Sequence, residues 1–282
     1  MRVIRSADQM QAAAQRWQRE GRRVGVVPTM GALHEGHASL IRAAAAENEI
    51  VVVTIFVNPM QFGPKEDFRK YPRAVSQDIA LATAAGASHL FAPSAEEIYP
   101  PGFETSVEPG ALATLWEGKS RPSHFSGVAT VVAVLFQVTR PTTAYFGQKD
   151  YQQALIIQRM VRDLHLPLRV RVLPTVREQD GLAMSSRNMY LNAAQRQQAL
   201  VLSRALREAH ARIQSGERRA SSLTSHMRTI IRQAPSARIE YVAVVDAATL
   251  KPLTRLRGRM AILLAVQIGR TRVIDNLLVD VS

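Results

Sequence analysis

The sequence contains no cysteine. Disulfides and thiolate catalysis are therefore excluded, and zinc would have to be held by His, Asp or Glu alone. No apolar stretch approaches the roughly 18–20 residues that a membrane span needs. The N-terminal segment, "MRVIRSADQMQAAAQRWQRE", is charged throughout and lacks the apolar centre of a signal peptide. A cytoplasmic protein without a membrane partner is the expectation. Acidic residues are also short, 23 against 36 Lys and Arg, giving a net charge of +13. Such a balance often marks a polyanionic partner. Its distribution argues otherwise here. Residues 193–236 carry eight arginines against Glu208 and Glu217, yet the stretch has no aromatic side chain on which a base could stack. A solvated helical face is the simpler reading, and no nucleic-acid partner is expected.

What is present suits a globular chain. With 282 residues and 46% hydrophobic content, one large domain or two ordinary ones can each bury a core. Ser6 and Gln9 read as a capping box, followed by Met10, Ala13, Ala14 and Trp17 on one helical face. Residues 24–29 read as a strand, 37–48 as a helix and 50–57 as a continuous β-branched run, together a βαβ unit. The alternation continues with helices at 76–85, 128–138 and 151–164 and strands at 89–92, 144–146 and 168–176. This predicts an α/β fold, a Rossmann-like doubly wound parallel sheet. Two helices at 193–214 and 220–233, then strands at 239–245, 260–268 and 272–279, predict a smaller α+β domain. The domains are expected at 1–176 and 177–282.

Four segments carry candidate chemistry. In "VPTMGALHEGH", His34 and His37 lie where the first strand of the βαβ unit feeds a helix. A metal site, a structural turn and a phosphate site are all conceivable. The phosphate reading explains more: free N–H groups and the positive end of the helix dipole point at the turn, and Gly31 and Gly36 permit close backbone approach. "NPMQFG" follows the next strand and offers Asn58 and Gln61, neutral groups suited to hydroxyls or amides. "FGQKDYQQ" places Lys149 near a helix start, with Gln153 one turn on. "GLAMSSRN" sets Ser185, Ser186 and Arg187 at the domain boundary as an anion clamp. Neither serine sits in a G-x-S-x-G elbow, and there is no P-loop signature.

Taken together, the His-x-x-His turn and the Met-Ser-Ser-Arg segment resemble the HxGH and KMSKS signatures of the nucleotidyl-transferase superfamily. "VPTMGALHEGH", "IFVNPMQFG", "YPR", "RPSHFSGV", "FGQKDYQQ" and "PTVREQDGLAMSSRN" occur in order over most of residues 24–200. In that set the chain resembles the pantothenate synthetase family.

The resemblance implies ATP-dependent ligation of pantoate and β-alanine through a pantoyl adenylate, releasing pyrophosphate and then AMP. Its implied ATP site comprises Met30, Gly31, Ala32, Leu33, His34, Glu35, Gly36 and His37, then Gly147, Gln148, Lys149 and Asp150, then Val176, and finally Met184, Ser185, Ser186 and Arg187. The implied catalytic set is His34, His37, Lys149, Ser185, Ser186 and Arg187, with His37 the usual proton donor. Gln61, Gln153 and Asn58 would bind pantoate, and Gln61 also β-alanine. Mg²⁺ is implied beside ATP, with Asp78 as its protein ligand; Gln77 precedes it where family members can carry a second acid. A homodimer is implied as well. Residues 128–136 would serve either the core or the dimer interface. Two other readings remain in view: a different adenylyltransferase, which should lack the NPMQFG and KDYQQ segments, and an RNA-binding protein, which needs aromatics among its basic residues.

Overall fold

The computed structural model of the chain describes residues 1–64 and 66–281. The chain divides into two compact units, one of Met1–Gln148 and Gln152–Pro174, the other of Lys149–Tyr151 and the chain from Thr175 onward. In chain order the first half runs β1 (Arg2–Ile4), α1 (Ala7–Arg19), β2 (Val24–Thr29), α2 (Glu35–Glu47), β3 (Ile50–Ile55), α3 (Val75–Ala84), β4 (His89–Phe91), α4 (Ala95–Ile98), α5 (Trp116–Ser120), α6 (His124–Thr139), β5 (Thr143–Gly147), α7 (Tyr151–Asp163) and β6 (Arg169–Leu173).

The strands form one sheet in the order β1-β4-β3-β2-β5-β6, and every pairing is parallel. Val24, Val26 and Val27 of β2 and Ile50 to Val53 of β3 are all buried, as β-branched runs must be when helices cover both faces. One face packs Met10, Ala14 and Trp17 of α1 with Val128, Val132 and Leu135 of α6. The other packs Ala38, Ile41 and Ala44 of α2 with Ala82 of α3. Strand order reverses between β2 and β5, so their carboxyl ends form the switch point where open α/β sheets take ligands.

The sheet, the burial of the α1 stripe and the doubly wound class match the sequence expectation. The boundaries differ in instructive ways. Helix α2 begins at Glu35, two residues before the expected start, because His34 is its N-cap. Helix α6 begins at His124, ahead of the apolar run at Val128 that signalled it. Val128, Ala129, Val131, Val132, Leu135 and Phe136 are all buried in the unit's own core, with Ala133 and Val134 partly buried beside them. Strand β1 was not foreseen; three residues are too few to show alternation.

The second unit contains α8 (Ala193–Gln214), α9 (Ala220–Ile231), β7 (Ala237–Asp246), β8 (Gly258–Ile268) and β9 (Thr271–Val281). The three strands form an antiparallel meander, and both helices pack on the face bearing Met260, Ile262, Leu264 and Val266. Asn192 and Gln195 form a reciprocal capping box at the start of α8. The arginines of these helices are of two kinds. Arg207, Arg212, Arg219 and Arg232 are exposed. Arg196, half-buried, is engaged by Glu178 and Asp180, and Arg218 by the Ile213 carbonyl. The solvated-face reading thus holds for only part of the set.

Candidate active site

The turn from β2 into α2 is built by its own backbone and two imidazoles. The Thr29 hydroxyl donates to the Thr54 carbonyl at 2.6 Å and accepts from Gly31 N–H at 3.2 Å. Gly31 then takes φ +88° and Ala32 φ +50°. A side chain at Gly31 would be strained there, and its Cβ would lie 3.1 Å from both Asp78 Oδ2 and Ile55 Cγ2. His34 Nδ1 accepts from Gly36 N–H at 3.1 Å, and His37 Nδ1 accepts from His34 N–H at 3.2 Å. Histidine replaces the usual Ser/Thr and Glu/Gln of a capping box. The rings sit with centroids 4.1 Å apart. Because both Nδ1 atoms accept, the neutral tautomer of each ring carries its proton on Nε2. The cap therefore fixes two N–H donors at a helix N-terminus, beside backbone that already favours an anion.

Asp78, expected as a metal ligand, has a different visible role. It is buried, with Oδ2 accepting from Ala32 N–H at 3.0 Å and Oδ1 from Leu33 N–H at 2.7 Å. Both carboxylate oxygens hold the strained turn. Among the described residues no group of three or more His, Asp or Glu could hold a metal ion.

The segment after β3 is locked more deeply. Asn58 and Gln61 are both buried. Asn58 Oδ1 accepts from Met60 N–H at 3.1 Å and from the Tyr99 hydroxyl at 2.8 Å, while its Nδ2 donates to the Gly127 carbonyl and to Gln61 Oε1, each at 3.0 Å. Gln61 Nε2 points at Met30 Sδ, 3.1 Å away, which brings this segment against the histidine turn. Helix α6 approaches so closely that a Cβ on Gly127 would lie 2.4 Å from the Met60 carbonyl oxygen and 2.7 Å from Gln61 N. Only glycine allows that approach.

A charged cluster braces the same backbone. Arg121 donates to both Glu66 oxygens, at 2.7 and 2.6 Å, and to the Gln61 carbonyl at 3.2 Å. The imidazole of His124 lies 3.0 Å from that carbonyl and 3.0 Å from Arg121. Burial, with Arg121 beside it, pushes His124 down to about 4, so the ring is neutral at physiological pH. Burial, the largest single influence, raises the Glu66 carboxyl, but the hydrogen bonds and charge of Arg121, with smaller help from His124 and the Gly63 backbone, together hold it below the usual range.

Gln153 lies half-buried on α7 in the first unit, next to Gln152, whose amide is spent on Glu117 N–H and the carbonyls of Leu112 and Leu115. The two glutamines thus have separate work. In the second unit, Lys149 has its carbonyl held by Asn276 Nδ2 at 2.9 Å, and the Tyr151 hydroxyl donates to the Ala247 carbonyl at 2.8 Å. The Lys149 ammonium is 3.9 Å from Asp150. Val176 accepts from Met184 N–H at 3.0 Å in a short hairpin closed by Gly181 at φ +95°. Arg177 clamps the buried Asp275 bidentately, at 2.7 and 2.9 Å. Ser185 Oγ accepts from Arg187 N–H at 3.3 Å and so starts the 3₁₀ turn Ser186–Tyr190. Asn188 ties that turn to Glu178 and Ala183.

Within the first unit, the fold brings together Met30 to His37, Asn58, Gln61 and Asp78; within the second, Val176 and Met184 to Arg187. Sequence reasoning assigned no role to Tyr99, Glu66, Arg121 or His124. The last two fall inside the "RPSHFSGV" segment, so the signal was present without a geometry to interpret it.

Comparison with known proteins agrees in every direction. The family model described as Pantoate-beta-alanine ligase matches residues 2–278. A pantothenate synthetase of Moorella thermoacetica is 53% identical over 262 residues, 93% of each chain. The crystal structure of pantothenate synthetase from Thermus thermophilus superposes with a TM-score of 0.94 at 46% identity, covering 98% of this chain and 99% of that one. That of the pantoate–β-alanine ligase from Francisella tularensis, complexed with Beta-gamma ATP and β-alanine, gives 0.81 at 36% identity, covering 99% and 97%.

Proposed function

The chain belongs to the pantoate–β-alanine ligase family, and from that premise we propose how its own residues divide the work. It is an enzyme that ligates pantoate and β-alanine to pantothenate using ATP. A pantoate carboxylate oxygen attacks the α-phosphorus, the bond to the β-phosphate breaks, and pyrophosphate leaves. The β-alanine amine then attacks the acyl carbon, loses a proton, and releases AMP. No covalent enzyme intermediate is required, which suits a site of donors and amides without an activated nucleophile.

The observation that carries this division is the imidazole cap of α2, with two N–H donors at a helix N-terminus at the switch point of the sheet. His34 and His37 follow negative charge onto the phosphates, together with Lys149 and with Ser185, Ser186 and Arg187. Backbone of Met30 to His37, Gly147 to Asp150, Val176 and Met184 holds ATP. Gln61 and Gln153 bind pantoate, and Gln61 afterwards faces β-alanine. Asn58, its amide already satisfied by protein groups, supports Gln61 instead of touching substrate. An ATP-using enzyme in whose described residues no helix is long and apolar enough to cross a membrane suits the cytoplasm. The homodimer stays a proposal drawn from the family, with an interface other than the buried face of α6.

Both Asp78 oxygens are engaged by the turn, so we propose that magnesium arrives as the ATP complex, carried on the phosphates. Asp78→Ala distinguishes the two roles. It leaves two turn N–H groups unsatisfied, so urea unfolding should show a loss of about 2–4 kcal/mol. The Mg²⁺ dependence of the remaining turnover should be unchanged. Unchanged stability with a shifted Mg²⁺ dependence would return Asp78 to the metal.

The order of steps is tested by isotope exchange. Given pantoate and MgATP without β-alanine, the protein should exchange labelled pyrophosphate into ATP. Pantothenate production without such exchange would sink the adenylate-first route.

A further inference from the structure

An amide's carbonyl and amino ends have nearly the same shape, so its polarity is decided by its partners. For Asn58 two of those partners are backbone groups and admit no choice. Met60 N–H can only donate, and it faces Oδ1 at 3.1 Å; the Gly127 carbonyl can only accept, and it faces Nδ2 at 3.0 Å. Turning the Asn58 amide over would set donor against donor and acceptor against acceptor in a buried site. The Tyr99 hydroxyl, 2.8 Å from Oδ1, must then donate. Burial pushes that phenol up, which keeps it protonated. Its ring is fixed edge-on between Phe56 and Phe103, with centroids 6.0 and 5.0 Å away.

The polarity passes on. Asn58 Nδ2 donates to Gln61, so the Gln61 atom 3.0 Å from it is the carbonyl oxygen Oε1. The amino end Nε2 is thereby turned toward Met30 Sδ, a weak acceptor that takes at most one of its two hydrogens. We infer that Tyr99 and Asn58 are positioning residues that hold the Gln61 amino end toward pantoate as a hydrogen-bond donor, so the atom that Nε2 recognises on pantoate is an acceptor, a carboxylate or hydroxyl lone pair. The inference rests on the proposed placement of Gln61 in the pantoate subsite and adds the sign of its contact and the residues that set it. It also gives chemical sense to a half-buried tyrosine hydroxyl 41 positions from the residue it holds.

The test compares Gln61→Ala, Gln61→Glu and Tyr99→Phe by the KM for pantoate, the KM for ATP and kcat, with a melting curve for each. Gln61→Glu keeps the shape and one oxygen for Asn58 but sets a second oxygen where the donor stood. Pantoate KM should rise at least as far as in Gln61→Ala, by about 10²-fold, the scale on which a site loses a required polar contact. ATP KM should stay within about twofold. Tyr99→Phe removes one neutral hydrogen bond to Asn58, and pantoate KM should rise roughly threefold to tenfold with little change in ATP KM or melting temperature. A merely structural tyrosine would lower the melting temperature and disturb both substrates together. A near-normal pantoate KM in Gln61→Glu, where Gln61→Ala is impaired, overturns the donor assignment. An unchanged pantoate KM in Tyr99→Phe removes Tyr99 from the positioning set. If Gln61→Ala itself binds pantoate normally, it is the placement of Gln61 that fails, and the inference falls with it.

Discussion

Lys149→Ala is expected to slow adenylate formation by roughly 10²–10³, the scale for removing one preorganised contact to developing charge. The side chain is mostly covered, 19% exposed, yet its ion pair among the described residues is the long one to Asp150 at 3.9 Å. That pair holds little stability, on the order of 0–1 kcal/mol. What fixes the residue is its backbone, through the Asn276 amide on the Lys149 carbonyl, and alanine keeps that bond. Melting temperature and circular dichroism should therefore match the wild type while pyrophosphate exchange collapses. Near-normal exchange in folded protein would remove Lys149 from the phosphate contacts.

His37→Ala should be as damaging to exchange, again by roughly 10²–10³, and it should also cost stability. The imidazole accepts from His34 N–H, so its loss leaves one helix-terminal donor without its cap, worth about 1 kcal/mol. The two effects separate in His37→Glu. Glutamate is the usual residue at this position of a capping box and can take the His34 N–H, so stability should recover toward wild type. On the proposed role its carboxylate would face phosphate where a donor is needed, and exchange should fall below that of the alanine variant. Urea unfolding and pyrophosphate exchange, run side by side, decide the matter. Activity that recovers together with stability would mean that His37 serves only to cap the helix.

Much of the scaffold was legible because its signals are local. The buried runs of β2 and β3 need apolar side chains on both faces, and the stripe Met10, Ala13, Ala14, Trp17 repeats at helical spacing. The start of α2 was misplaced because histidine is an unusual N-cap, and the propensity rules for helix starts do not favour it. The supports of the site carried no such signal. Asp78 reaches Ala32 across 46 positions, Tyr99 reaches Asn58 across 41, and Arg121 reaches Glu66 across 55. No periodicity links those partners. Asn58 shows the consequence: its residue type suggested a substrate contact, and only its four partners reveal an amide fully occupied by the protein.

The switch point between β2 and β5 also dictates when the site can exist during synthesis. Strand β2 pairs with β3 on one side within a few tens of residues, but its other edge waits for β5, where Gly25 meets Thr143 and Val26 meets Ala144. The Val24 N–H that opens the strand is met by the Thr142 hydroxyl, 118 positions later. Until that stretch has left the ribosome, a buried-type valine strand stands with an open edge, the feature most prone to pair with another chain. Strand β1 waits similarly for β4, Arg2 opposite His89. The histidine turn can form early, but the crevice it serves closes only after half the chain has been made. The nascent enzyme therefore passes through a long interval in which it needs protection from its neighbours and can do no chemistry.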